Sequence, residues 1–183
     1  MQVIAIAAMS VDGLITRHEQ EGAGFASDAD QQFFREALQE FDCCVFGART
    51  FAASQAAILR SLTPARLRLV LTHSPERYAA HHRPEMLEFT DAAPEELLEN
   101  LRRRGKTRCA VLGGGEIYAL FLANALVDEL WLTLEPRLFG QGKRLTSGPL
   151  DCALTLRECR RLAEHTLLLT YRLRNEVSSG LAL

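Results

Sequence analysis

The chain has 183 residues, of which 48% are hydrophobic and 24% charged, and its formal net charge at pH 7 is -2. This length and composition fit one globular domain with a full hydrophobic core. The small negative charge argues against a nucleic-acid binder, which is usually basic, and no apolar run approaches the roughly 20 residues of a membrane span. We therefore expect a cytoplasmic protein that binds neither nucleic acid nor a membrane.

The five cysteines give no sign of a metal site. There is no C-x-x-C pair, and the H-x-E and P-C-x-x-C motifs of zinc nucleobase deaminases are absent. Cys43 and Cys44 are adjacent, so a strand would point them to opposite faces of a sheet. We expect free thiols, no metal ion and no deaminase chemistry.

The first half of the chain alternates strand and helix patterns. Short apolar runs predict strands over residues 3–9, 42–47 and 67–72, and helical spacing predicts helices over residues 28–40 and 49–61. Ser27 is a candidate N-cap of the first helix, and Asp30 stands three residues later, where a capping box places its acid.

The second half continues the alternation and then ends on two strands. We predict strands over residues 86–89, 108–112, 129–135, 154–163 and 167–173, helices over 94–104 and 116–124, and a long loop over 136–149. Alternating strands and helices indicate a mostly parallel α/β sheet, and the closely spaced last pair indicates an antiparallel hairpin at its edge. The domain is expected to span residues 1–174, followed by a disordered tail over 175–183.

Small, polar or glycine-rich residues follow four of the predicted strands. The segments are MSVDG, GARTF, THS and GGGE. Open parallel sheets bind ligands at the carboxyl ends of their strands, so this recurrence fits a nucleotide lying across several strand ends. Gly113 to Gly115 precede a helix, whose free N–H groups would favour an anion.

Simpler interpretations stay open for each of these residues. The glycines also suit a plain strand–helix turn, Arg49 also suits an exposed helix start, and Asp30 also suits a capping role. Residues alone do not separate these possibilities.

Four segments, in this order, resemble dihydrofolate reductases and the reductase domain of the riboflavin-pathway deaminase-reductase. They are AAMSVDGLI, FGARTF, VLTHS and VLGGGEIYALFLANALVDELWLTLEPRLFGQG. The resemblance covers residues 2–174. It implies a dihydrofolate reductase-like three-layer α/β/α fold and an NADPH-dependent oxidoreductase of the riboflavin type, standing alone without the deaminase domain.

The resemblance also implies which residues contact NADPH. The cofactor-binding set is Ala8, Ile15, Gly47, Arg49, Thr50, Thr72, His73, Ser74, Gly113, Gly114, Gly115, Glu116, Ile117 and Tyr118. In the folate enzymes a cis peptide joins the first two glycines of the corresponding block.

The implied catalytic pair is Asp30 and Thr133, because the folate enzymes hold a single acid and its threonine partner at matching positions. Hydride transfer to an imine also requires a proton, which such an acid can supply. We predict substrate contacts at Ser10, Asp12 and Phe34.

Three departures from the relatives affect the substrate and cofactor assignment. Ala48 stands where folate enzymes place an arginine, Gly113 stands where riboflavin-type reductases place a glutamate, and the loop before Asp30 lacks the tryptophan of folate enzymes. The expected substrate is a heterocycle or a ribosylamino-pyrimidine. Alternatives are a dihydrofolate reductase activity and a non-catalytic nucleotide-binding protein. The apolar strands of the final hairpin suggest a homodimer.

Overall fold

The computed structural model describes residues 1–174, and the predicted tail over 175–183 lies outside them. Its strands are β1 (Gln2–Ser10), β2 (Cys43–Gly47), β3 (Leu67–Leu71), β4 (Leu87–Thr90), β5 (Arg108–Val111), β6 (Glu129–Glu135), β7 (Leu154–Arg161) and β8 (Leu167–Leu173). Its α-helices are α1 (Asp28–Ala37), α2 (Ala48–Arg60), α3 (Pro94–Arg103) and α4 (Gly115–Ala123). Short 3-10 segments cover Leu38–Glu40 and Pro75–His81.

The strands form one sheet in the order β4-β3-β2-β5-β1-β6-β8-β7. The pairs from β4 to β6 are parallel, whereas β8 runs antiparallel to both β6 and β7. The fold class predicted from the sequence, a mostly parallel sheet with an antiparallel hairpin at the C-terminal edge, is confirmed.

Helices cover both faces of the sheet, which completes the three layers. One apolar core joins Cys43 and Cys109 to leucines of α3 and to Phe121 of α4. The other joins Cys44 and Phe46 to the apolar sides of α1 and α2. The adjacent cysteines therefore do point to opposite faces, as strand geometry requires.

The helix boundaries follow the predicted caps. The Ser27 hydroxyl accepts the Asp30 N–H at 3.3 Å and begins α1. Gly105, with φ of +75°, follows the last turn of α3. The 3-10 segment after β3 was not predicted from the sequence; it is held by Tyr78, whose ring stacks on Phe89 with centroids 4.9 Å apart.

Residues 1–174 contain neither a candidate membrane span nor a candidate metal cluster. No helix there combines the length and the apolar content needed to cross a membrane. In the same range, no three His, Cys, Asp or Glu side chains converge as a metal ion would need.

Candidate functional site

A cleft of about 1450 Å³ crosses the carboxyl ends of β1, β2, β3 and β5. Of the residues predicted to contact the cofactor, it is lined by Ala8, Ile15, Gly47, Arg49, Thr50, Thr72, His73, Gly113, Gly114, Gly115, Glu116, Ile117 and Tyr118. Ser74 is not among the lining residues; its N–H donates to Thr72 Oγ1 at 3.3 Å. The structure thus brings nearly all of the predicted set to one surface, and their contacts with a cofactor stay a prediction.

A tight glycine turn forms the centre of the cleft. The peptide bond between Gly113 and Gly114 is cis, and the Gly113 carbonyl accepts the Gly47 N–H at 2.8 Å. Gly113 has φ of +98°, and a Cβ added there would lie 2.9 Å from the Tyr118 ring. Only glycine meets both conditions, so this position is fixed by backbone geometry and by contact with Tyr118.

Two helix N-termini face the cleft on either side of that turn. Gly47 is the N-cap of α2 and Gly114 the N-cap of α4, and β2 and β5 hold the two helices side by side. The N–H groups of Gly115 and Glu116 have no hydrogen-bond partner among residues 1–174. Free N–H groups at the positive end of a helix dipole are suited to bind an anion such as a phosphate.

The rim above these N-termini carries several charges. Arg49 and Glu116 form an ion pair, and that contact holds the pKa of Glu116 below its ordinary value, with Lys143 and His73 adding to the effect. Both side chains of the pair are exposed. Exposed ion pairs contribute little to stability, so Arg49 can exchange this partner for another anion at small cost.

The predicted acid, Asp30, is not among the residues that line the cleft. Its side chain is buried on α1, one turn before the cleft-lining Phe34. Burial raises the pKa of the Asp30 carboxyl, the charge of Glu135 raises it further, and the neighbouring Thr133 hydroxyl acts in the opposite direction. Burial raises the pKa of Tyr118, and the Asp30 charge raises it further.

Thr133 lies beside Asp30, as the sequence resemblance implied. Its hydroxyl oxygen is buried and has no hydrogen-bond partner of good geometry among residues 1–174. Buried polar groups normally find a partner, so this pair leaves hydrogen-bonding capacity for a water molecule or a ligand group.

Glu135 is the residue of this pocket that the sequence analysis missed. It is 1% exposed and accepts the Ser27 N–H at 3.0 Å and the Ser27 hydroxyl at 2.9 Å. Because Glu135 binds the Ser27 N–H, Asp30 is not the acid of a capping box, and that interpretation is wrong. The alternation of β6 could have revealed the residue, since positions 131, 133 and 135 of a strand share one face.

The three predicted substrate contacts are spread over different surroundings. Phe34 lines the cleft. The Ser10 hydroxyl donates to Asp12 at 2.6 Å, and the Asp12 carboxylate accepts the N–H groups of Phe139 and Gly140 at 3.1 Å and 2.7 Å. These donors lower the pKa of Asp12. Ser10 and Asp12 therefore hold the loop after β6 in place, a role that their sequence position did not indicate.

The cleft is also lined by residues that the sequence analysis missed. They lie on α1, β2, α2, β3 and the segment before β3, and they include Arg35, Arg66 and Arg68. Arg68 is 5% exposed, and its guanidinium donates to the Ser61 carbonyl at 2.6 Å. The sequence pattern marks Arg68 only as a cation inside an otherwise apolar strand.

Solved structures share this architecture at low sequence identity. A putative riboflavin biosynthesis protein from Shewanella sp. PV-4 is 20% identical with a TM-score of 0.72, over 96% of this chain and 100% of that one. A diaminohydroxyphosphoribosylaminopyrimidine deaminase/5-amino-6-(5-phosphoribosylamino)uracil reductase from Thermotoga maritima is 16% identical with a TM-score of 0.76, over 94% and 56% of the two chains. Dihydrofolate reductase from Enterococcus faecalis is 17% identical with a TM-score of 0.64, over 95% and 97%.

These likenesses show a shared dihydrofolate reductase-like fold. No curated protein matches the chain. The family model described as "RibD C-terminal domain" matches residues 1–168, nearly the whole of the described structure. The chain therefore belongs to the RibD C-terminal domain family.

Proposed function

We propose that the chain is an NADPH-dependent reductase of the riboflavin type, which transfers a hydride to a heterocyclic or ribosylamino-pyrimidine substrate. The observation that carries the proposal is the cleft, in which two helix N-termini flank a glycine turn and which α1, the helix of the buried Asp30, lines through Phe34. Membership of the family supports a reductase. Its expected location is the cytoplasm.

The residues present fit NADPH. The unpaired N–H groups of Gly115 and Glu116 suit the diphosphate, and the small Ala8 leaves room at the carboxyl end of β1 for a flat ring. Arg49, with Lys143 and His73 near it, suits the additional phosphate that distinguishes NADPH from NADH. When bound, the cofactor supplies the hydride.

The protein itself supplies a proton and an orientation. Asp30 has a raised pKa, so its carboxyl keeps its proton to a higher pH than an exposed aspartate does. Reduction of a C=N or C=O group requires one proton as well as the hydride, and Asp30 is a buried acid on α1, one turn before the cleft-lining Phe34. Thr133 lies beside that carboxyl with a free hydroxyl, which can orient it or a bridging water molecule.

The arginines that line the cleft bear on the choice of substrate. Arg35, Arg66 and Arg68 are all lining residues, and arginine is well suited to phosphate. A ribosylamino-pyrimidine phosphate carries such a group. Dihydrofolate is the competing substrate, favoured by Gly113 and by the pairing of Asp30 with Thr133, and its carboxylates would meet the same arginines.

A thermal-shift titration with NADPH, NADP+ and NADH tests the cofactor assignment, because a ligand that binds only the folded state raises Tm. We expect a larger shift with NADPH and NADP+ than with NADH at equal concentration. An unchanged Tm with all three would rule out the cofactor assignment.

Turnover then separates the substrates. We expect oxidation of NADPH, followed by its absorbance, in the presence of the aminopyrimidine ribosyl phosphate, and a higher KM for the dephosphorylated compound. Oxidation with dihydrofolate alone would assign the folate activity instead. Binding of NADPH without oxidation with either compound would favour the non-catalytic alternative.

We also propose that the chain forms a homodimer through the hairpin edge of the sheet. β7 is an edge strand on which Leu154 and Leu156 are 39% and 53% exposed. Exposed apolar residues on an unpaired strand favour pairing with a second copy. Light scattering should give twice the chain mass, and Leu156→Lys should reduce it to the monomer mass; a monomeric parent would contradict the proposal.

A further inference from the structure

Glu135 is a carboxylate buried at the carboxyl end of β6. It accepts the N–H and hydroxyl of Ser27, and the Thr166 hydroxyl lies 3.5 Å from its second oxygen. Three donors surround this group, which is the arrangement that an ionised carboxylate requires when it is removed from water. This carboxyl group is thus held inside the protein by its donors, beside the predicted catalytic pair.

The odd-numbered residues of β6 form a register with α1. Trp131 packs against Phe33 with ring centroids 6.3 Å apart, Thr133 lies beside Asp30, and Glu135 binds Ser27. Every second residue of β6 thus meets every third residue of the α1 segment, because each of these spacings keeps side chains on one face of its element. Glu135 holds Ser27, the N-cap of α1, and thereby fixes the position of the first turn of the helix over the sheet. Asp30 lies in that turn, so its position over the sheet depends on Glu135.

The groups facing Asp30 come from three elements. From β6 they are Thr133 and Glu135, from α4 the Tyr118 ring, and from the N-cap the Ser27 hydroxyl, which accepts the Asp30 N–H. No cation of residues 1–174 acts on the pKa of Asp30. The one neighbouring charge is therefore negative, and it opposes ionisation of the Asp30 carboxyl.

We propose that Glu135 is a positioning residue for Asp30: it anchors the start of α1 through Ser27, and it places a second carboxyl group on the face of β6 that Thr133 shares. The inference rests on the proposed function, since it names the group that controls the acid of that same site. Two carboxyl groups of different environment then divide the work: Glu135 accepts the donors at the start of α1, whereas Asp30 has a pKa that is raised chiefly by burial.

The substitution Glu135→Gln separates charge from anchoring. The glutamine amide oxygen can still accept the Ser27 N–H, whereas the negative charge is removed. The measurement is a ¹³C NMR titration of the Asp30 carboxyl, with its resonance assigned by its loss in Asp30→Asn. We expect the Asp30 titration to move to lower pH in Glu135→Gln. The matched control is Glu129→Gln at the other end of β6, which should leave it unchanged.

The activity readout is the pH profile of kcat. In Glu135→Gln the fall of kcat with rising pH should begin at lower pH, whereas the KM for NADPH should stay that of the parent. An Asp30 titration at the same pH in both proteins would overturn the inference. If Glu135→Gln does not fold, Glu135→Asp replaces it in the test. Its shorter side chain moves the carboxylate, so the Asp30 titration should move to lower pH by a smaller amount. An Asp30 titration at the parent's pH in Glu135→Asp would also overturn the inference.

The NMR measurement needs no substrate, so it separates the two proposals. A shift of the Asp30 titration in a protein that never oxidises NADPH would leave the coupling of Glu135 to Asp30 standing and would reject the reductase. Oxidation of NADPH by a protein whose Asp30 titration is the same with and without Glu135→Gln would support the reductase and reject the coupling of Glu135 to Asp30.

Discussion

Two parts of the protein are built in different ways. One is the proposed cofactor end of the cleft, around Gly47 and Gly113–Gly115, and the other is the acid pocket formed by Asp30, Thr133 and Glu135. The cofactor end consists of short segments that directly follow β1, β2, β3 and β5, so parallel pairing alone brings them together. The acid pocket instead joins Ser27 to Glu135, 108 residues later, and to Thr166, 139 residues later. The first arrangement follows from the order of the strands, whereas the second depends on the packing of α1 against β6.

The largest expected effect is in the acid pocket. Asp30→Asn removes the proton donor and should lower kcat by roughly 10²- to 10⁴-fold, the usual contribution of a general acid. NADPH affinity should stay nearly that of the parent, because Asp30 is not among the cleft-lining residues. Steady-state kinetics and NADPH titration measure both values. The control is Asp28→Asn, because Asp28 is an exposed aspartate in the same helical turn and its variant should keep the parent's kcat. Equal kcat in Asp30→Asn and the parent would remove Asp30 from the mechanism.

The cofactor end should respond most to Gly113→Ala. The added methyl would meet Tyr118 at a backbone conformation with positive φ, so we expect unfolding to become easier by roughly 2–4 kcal/mol and NADPH affinity to fall by at least tenfold. Urea denaturation and NADPH titration report the two changes.

Gly105→Ala is the matched control for the glycine turn. Gly105 also has positive φ, but a Cβ there meets nothing within 4 Å, and the residue lies after α3, outside the cleft. The Gly105→Ala variant should be less stable than the parent but should bind NADPH with the parent's affinity. Similar NADPH binding by the two alanine variants would show that the glycine turn does not contact the cofactor.

A smaller effect at the cofactor end is expected from Arg49→Ala. Loss of one charged contact to a phosphate corresponds to roughly tenfold weaker NADPH binding, with NADH binding unchanged. Arg60→Ala, at the opposite end of α2, is the control. If Arg49→Ala weakened NADPH and NADH binding equally, Arg49 would have no part in the preference.

The smallest effect concerns stability rather than activity. Because burial raises the pKa of Asp30 in the folded state, this carboxyl contributes stability below the pKa of the unfolded chain, about 3.9, and that contribution is lost as pH rises through the folded-state pKa. Asp30→Asn should therefore have a higher Tm than the parent at pH 7, with the difference shrinking toward pH 4. A lower Tm at pH 7 would contradict the assigned cause of the shift.

The sequence predicted the fold and the grouping of the strand-end segments in one cleft because both depend on local patterns. Strand periodicity gave the sheet, and GARTF and GGGE marked strand ends that the structure places side by side. Glu135 was missed because its partner lies 108 residues away and no local motif joins them. Asp12 was assigned to substrate, whereas its carboxylate holds the backbone of Phe139 and Gly140, a contact that only the folded loop reveals.

The most direct test of the proposed cofactor is a titration of NADPH into the protein, followed by the fluorescence of the nicotinamide ring and by competition with NADP+. We expect saturable binding of one NADPH per chain, displacement by NADP+ and weaker binding of NADH. A signal that does not saturate, or that NADP+ does not displace, would contradict the cofactor assignment.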